Sequence, residues 1–152
     1  MPDFASQVKN IGLKLKLDTN GSNPEMIKDL LQKGLLDYIA MDVKTSFDKY
    51  HLFKVPEKTE TSLLLSIQEI MSSNIPYEFR TTCVPGVVTE EDIYFIAETI
   101  KGAKKYCLQQ FRPYENVLDE KFLRVKPYDK NVLNKFKSIS EAFVEGVIIR
   151  GI

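Results

Sequence analysis

Strand patterns and helix patterns alternate along this chain, and that alternation restricts its fold more than any other feature. Lys14-Leu15-Lys16-Leu17 alternates strictly, as a strand with one apolar face does, before Asp18-Thr19-Asn20-Gly21 breaks the pattern. Tyr38 to Met41 is a short apolar block that ends abruptly in Asp42, Val43 and Lys44. Arg80 to Cys83, entered through Tyr77-Glu78-Phe79, is rich in β formers, and Pro85-Gly86 ends it. Lys105 to Leu108 makes a fourth strand, and Gly146 to Arg150 reads as a terminal one.

Helix patterns fill the intervals. Asn23-Pro24 reads as an N-cap with proline at the first helical position, followed by an apolar stripe of Met26, Ile27, Leu30 and Leu31 that Gly34 closes. Thr59 or Thr61 is expected to cap a helix carrying Leu63, Leu64, Ile67, Ile70 and Met71 inward. Thr89 with Glu90, Glu91 and Asp92 starts a third, with Ile93, Ile96, Ala97 and Ile100 buried. Asp129 caps a fourth, with Val132, Leu133, Phe136, Ile139 and Phe143 inward. A helix over 3–11, with Phe4, Val8 and Ile11 at helical spacing, precedes them all. The segment 45–58 has little periodicity and reads as loop or one short helical turn.

Strand-helix-strand alternation implies an α/β protein with a parallel sheet and right-handed crossovers. About four βα units and a terminal strand are too few for an eight-stranded barrel, which needs about 250 residues. The expectation is an open sheet or partial barrel, in one domain over the 152 residues. Because a βα array begins with a strand and this chain begins with a helix, the amino-terminal part of the array is expected to be missing. Lys14 to Leu17 would then be an unpaired edge, open to pairing with a second copy, its lysines blunting that tendency.

Composition excludes several classes. Lysine plus arginine equals aspartate plus glutamate at 21 each, so no overall charge favours nucleic acid or an anionic membrane. No apolar run approaches a membrane span and no signal-peptide pattern opens the chain, which makes the cytoplasm the expected compartment. Cys83 and Cys107, the only cysteines, are too far apart for a CxxC motif and read as free thiols.

The strands share a polar carboxyl end. Asp18, Thr19 and Asn20 follow the first, Asp42 and Lys44 the second, Arg80, Thr81 and Thr82 sit at the third, and Gln109, Gln110 and Arg112 follow the fourth. Parallel α/β folds bind ligands at that rim, and this mixture of carboxylates, cations, hydroxyls and amides suits a zwitterionic or polyol ligand. A salt bridge or turn cap is the plain reading of any one such end; the repetition favours a site. His51 reads as a solvated loop histidine and Cys83 as an inert, half-buried thiol. Tyr106, Phe111 and Tyr114 read as core and loop packing around Arg112, and no glycine spacing forms a phosphate loop.

The segments LKLDTNGSNP (15–24), LDYIAMDVK (36–44), YEFRTTCVPG (77–86) and YCLQQFRP (106–113) together resemble radical S-adenosylmethionine activating enzymes. The likeness is greatest to the anaerobic ribonucleoside-triphosphate reductase activating proteins and the pyruvate formate-lyase activating enzymes. The terminal VIIRGI is similar to the end of such chains. DTNG followed by MDVK is the specific part.

The resemblance implies a partial (βα)6 barrel from which the first two strands are absent. In the family, S-adenosylmethionine lies across the strand ends beside a 4Fe-4S cluster. Its reductive cleavage gives a 5′-deoxyadenosyl radical, which takes hydrogen from a glycine of a glycyl-radical partner enzyme, an anaerobic chemistry. By motif match, Asp18 and Thr19 correspond to positions after the third barrel strand, Asp42 and Lys44 to those after the fourth, and Arg80 to a fifth-strand arginine. Asp18, Thr19, Asp42 and Lys44 would lie near the cofactor's methionine end, with Asp18 and Asp42 also able to hold a monovalent cation, and Arg80 near cofactor and substrate peptide; Asn20, Thr82, Gln110 and Arg112 are further candidate contacts. Lys44 could pair the cofactor carboxylate while Asp18 and Asp42 face its amino group.

Departures from the family pattern matter equally. The CxxxCxxC loop and the GGEP-like motif are absent, and two isolated cysteines cannot supply three thiolates. The histidine some relatives carry after the sixth strand is replaced by the region Gln110 to Arg112. No catalytic residue is therefore assigned, and the chain alone is expected not to catalyse. Two other classes compete: a non-catalytic domain that binds the cofactor or the partner enzyme, and an α/β-barrel lyase with Lys44 as a Schiff-base lysine.

Overall fold

The computed structural model describes residues 1–56, 58–113 and 120–152. Its strands form one open five-stranded sheet in the order β1 (Lys16–Thr19), β2 (Tyr38–Asp42), β3 (Tyr77–Cys83), β4 (Tyr106–Gln110) and β5 (Val147–Arg150). Helices α1 (Pro2–Asn10), α2 (Pro24–Gln32), α3 (Thr59–Met71), α4 (Glu90–Thr99) and α5 (Lys130–Glu141) alternate with them, and 3-10 turns occupy Phe47–Phe53 and Glu120–Arg124. The α/β class and the open parallel sheet are as expected, and β1 lies at one edge. Two compact units make up the chain: Met1–Val43 with Phe47–Phe79, and Lys44–Ser46 with Arg80–Ile152.

In the first unit, β1 and β2 run parallel with Lys16 opposite Tyr38 and Asp18 opposite Ala40. Ile39 and Met41 are fully buried on one face of β2, beneath helices that contribute Ile27, Leu30, Leu63, Ile67 and Ile70. Asn23 caps α2 by accepting from the Met26 N–H, the role its sequence position suggested.

Three details differ from the sequence reading. The ladder of β1 starts at Lys16 rather than Lys14, because the Leu15 N–H is taken at 2.6 Å by the Asp37 carboxylate. Neither Thr59 nor Thr61 caps α3; Lys58 stands at its N-cap without a side-chain bond, and the Thr59 hydroxyl donates to the Pro56 carbonyl. Leu64 is exposed, while Ser66 occupies a buried position and donates to the Gly21 carbonyl at 2.8 Å. That pairing satisfies two polar groups inside the core, which periodicity counted over apolar residues does not register.

The apolar stripe read into α1 is also not buried. Only Ala5 of this helix is enclosed, and Phe4 and Ile11 are 62% and 73% exposed. Polar contacts hold the helix instead: Lys9 Nζ lies 2.9 Å from both oxygens of Asp37. The Leu15 N–H first, then the Lys9 ammonium, hold the Asp37 carboxyl below its ordinary value of 3.8. A carboxyl so depressed contributes stability that is present above its unfolded value and lost as pH falls through its folded value. Asp37→Asn is therefore expected to lower the urea midpoint at pH 7, with the gap to the parent closing below about pH 3.8. A gap of constant size from pH 7 to pH 2 would contradict this role.

In the second unit, β4 and β5 are parallel, Tyr106 opposite Val147, with Leu133 and Phe136 of α5 buried. Thr89 and Asp92 form a reciprocal capping box at α4, and Asp129 accepts from the N–H groups of Asn131 and Val132 at α5. Ile93, Ile96, Ala97 and Ile100 are buried as their spacing required. Tyr106 and Phe111 are buried as read, the Tyr106 hydroxyl donating to Thr81 Oγ1 at 2.7 Å; Tyr114 lies outside the described residues. Strand β4 runs on through Gln109 and Gln110, so those amides belong to the strand itself.

Candidate functional site

The strand-end residues of the first unit divide between two faces. Side chains alternate along a strand, so the register that sets Asp18 against Ala40 places Asp18 on the same face as Ala40 and Asp42, on the neighbouring strand. Asp18 is exposed and pairs with Lys16 Nζ at 3.2 Å; Asp42 is half-buried. Thr19 points the other way, with Met41.

Turn chemistry explains the split. Thr19 Oγ1 accepts the Gly21 N–H at 3.1 Å, and Asn20 Oδ1 accepts the Ser22 N–H at 3.0 Å. Both side chains thus fold the backbone sharply back into α2. Gly21 has a φ of +73°, and a Cβ there would run into Met41 Cε and lie 3.0 Å from Leu63 Cδ2. The glycine of DTNG is required by the turn and by the close approach of the core.

Three residues beside these were not singled out by the sequence. Lys16 Nζ also sits 5.8 Å from the centre of the Tyr38 ring, and the Tyr38 hydroxyl donates to Glu78 Oε2 at 3.1 Å. Glu78 is only 2% exposed. A buried carboxylate inside a β-rich segment signals a polar network, and its place between Tyr77 and Phe79 could have flagged it.

In the second unit, Lys44 is exposed, two residues after the end of β2 in sequence. Along β3, Arg80 is half-buried and Thr82 exposed while Thr81 and Cys83 are buried, the alternation expected of a strand with one covered face. Gln110 Nε2 donates to the Tyr128 carbonyl at 2.7 Å. Its buried Oε1 has no hydrogen-bond partner among the described residues. Arg112 donates from Nε and Nη2 to the Gly151 carbonyl, at 3.2 and 2.7 Å. Gln110 thus holds backbone just before α5, and Arg112 holds backbone near the chain's carboxyl end. His51 is exposed, its Nδ1 2.6 Å from the Asp48 carbonyl.

The cysteines are inert in this setting. Both are buried, and burial, with a smaller contribution from Cys107, pushes the Cys83 thiol up to about 12. Cys83 is expected to resist iodoacetamide at pH 8 in the native protein and to react once unfolded; native labelling at the unfolded rate would refute its enclosure.

No family model matches the chain. Over 154 residues it is 38% identical to a protein of Methanocaldococcus jannaschii named "Putative glycyl-radical enzyme activating enzyme", a match that covers 99% of this chain. The resemblance to glycyl-radical activating enzymes holds along the chain. This chain spans 64% of that relative's length. In fold it is similar to a crystal structure of a domain of pyruvate-formate lyase-activating enzyme from Bacteroides vulgatus, with a TM-score of 0.73 at 18% identity, over 98% of this chain and 88% of that one. No described helix is long and apolar enough to cross a membrane.

Two groups implied by the resemblance fare differently against these residues. An S-adenosylmethionine methionyl end is a zwitterion, and carboxylates at Asp18 and Asp42 with cations at Lys44 and Arg80 are a donor set of the right chemistry. A 4Fe-4S cluster does not fit: two buried cysteines cannot provide three thiolates, and no group of three or more His, Cys, Asp or Glu among the described residues could hold a metal ion.

Proposed function

We propose that this chain carries the S-adenosylmethionine-binding strand ends of a radical activating enzyme acting on a glycyl-radical partner, of the anaerobic ribonucleotide reductase or pyruvate formate-lyase kind. What supports the reading is the placement of Asp18 and Asp42 on one face of neighbouring parallel strands, together with Lys44 two residues past the end of the second in sequence. Lys44 holds the cofactor carboxylate; Asp18 and Asp42 take its amino group or a monovalent cation; Arg80 neutralises further negative charge from cofactor or substrate peptide. Thr19 and Asn20 act beneath them by shaping the turn. Thr82, Gln110 and Arg112 remain candidate contacts of substrate or cofactor. When bound, the cofactor would supply hydrogen-atom abstraction; the cysteines of this sequence do not fit the 4Fe-4S cluster that this chemistry needs. Saturable titration of the chain with S-adenosylmethionine, lost when Asp42 and Lys44 are both changed to alanine, tests the reading.

The exposed edge of β1 gives a further proposal about assembly. Lys16 and Asp18 alternate on it, so two copies pairing antiparallel about Leu17 would set each lysine opposite the other copy's aspartate. Light scattering at high concentration is expected to show a dimer that Lys16→Pro, which removes an N–H facing away from β2, abolishes; a monodisperse monomer would dispose of edge pairing.

A further inference from the structure

Asp92 does more than cap a helix. Its Oδ2 closes the capping box, 2.7 Å from both the backbone nitrogen and Oγ1 of Thr89. A cap requires no more than that. The second oxygen, Oδ1, is turned toward another stretch of chain, where it accepts from the Ser46 hydroxyl and lies 3.3 Å from Thr45 Oγ1. Thr45 Oγ1 is also 3.1 Å from the Val87 carbonyl and shares its proton between the two. Asp92 is 1% exposed, and Thr45 and Ser46 are buried with it. A buried carboxylate is tolerated where donors surround it, and here they come from two segments more than forty residues apart. Lys44 to Ser46 accordingly groups with the second unit, although Val43 before it and Phe47 after it group with the first.

We propose that Asp92 is a positioning residue for Lys44: by anchoring Thr45 and Ser46 it fixes the backbone from which the lysine reaches a ligand carboxylate. This inference rests on the reading of Lys44 as a cofactor contact. Preorganisation of this kind cuts the ordering cost of binding, so its loss weakens affinity while the contact residue itself is untouched.

The two oxygens of Asp92 allow the anchor and the cap to be separated. Ser46→Ala removes a donor from Oδ1, Ser46→Thr restores a hydroxyl, and Thr89→Ala breaks the capping box without touching Thr45 or Ser46. Amide hydrogen exchange at Thr45 and Ser46 and calorimetric titration with S-adenosylmethionine are measured on the parent chain, these three variants and Lys44→Ala. Expected are faster exchange at Thr45 and Ser46 and about tenfold weaker binding in Ser46→Ala. Ser46→Thr should recover, and Thr89→Ala should lower the denaturation midpoint yet bind as the parent does. Equal weakening by Ser46→Ala and Thr89→Ala, or none by either while Lys44→Ala weakens binding, overturns the positioning role and leaves the cofactor reading standing. Absence of binding by the parent, or no effect of Lys44→Ala, removes that reading and this inference with it, and exchange at Thr45 and Ser46 then reports the anchor alone.

Discussion

Replacing Gly21 with alanine is expected to destabilise the chain by about 2–5 kcal/mol, a backbone cost of about 1–2 for an L-residue at positive φ plus about 1–3 for overpacking. Both causes act at this position. With φ at +73°, the new Cβ would meet Met41 Cε and approach Leu63 Cδ2 at 3.0 Å. Met41 can swing its methyl aside; the backbone strain and the leucine contact persist. Shifting the turn would also disturb the 2.8 Å bond from Ser66 to the Gly21 carbonyl. Gly12 is the matched control, since φ is +80° there but nothing lies within 4 Å of the Cβ position. Gly12→Ala should carry only the backbone part, about 1–2 kcal/mol. Urea unfolding of both variants checks the difference, and equal midpoints would show that the packing around the DTNG turn is looser than the structure has it.

The glycine belongs to a motif whose two sides were unequally legible in the sequence. Alternation and block patterns marked β1 to β5 and α2 to α5, because burial of one face imposes a period whatever the function. The polar strand ends stood out as well, because an apolar block such as Tyr38 to Met41 stops abruptly in ionisable residues. Facing was harder. DTNG reads as a polar cluster, yet only the register with β2 shows that Asp18 joins Asp42 while Thr19 turns away toward Met41. The shift of β1 by two residues came from Asp37, a side chain far along the chain competing for a ladder N–H, and no local pattern contains that.

Buried polar groups were the other blind spot. Ser66, Glu78 and Asp92 occupy interior positions that hydrophobic periodicity assigns to apolar residues or to solvent. Each is there because a partner comes from elsewhere: Gly21 for Ser66, Tyr38 for Glu78, and Thr45 with Ser46 for Asp92. Conversely, Phe4 and Ile11 keep helical spacing without a surface to cover them among the described residues. Spacing predicts which side chains share a face, and not whether another element lies against it.

The second large effect concerns the cofactor. Charge-assisted contacts contribute about 1.5–3 kcal/mol each, so removing both Asp42 and Lys44 should weaken S-adenosylmethionine by at least about a hundredfold. Stability should change little, because Lys44 is exposed and Asp42 only half-buried at the strand end. The direct measurement is isothermal titration of the folded chain and of the Asp42→Ala, Lys44→Ala double variant with S-adenosylmethionine, each checked for an unchanged unfolding midpoint. Saturable binding by the parent that disappears in the double variant is the result expected if the strand ends are the cofactor's methionyl site. Binding that survives both substitutions, or no binding by the folded parent, would contradict it.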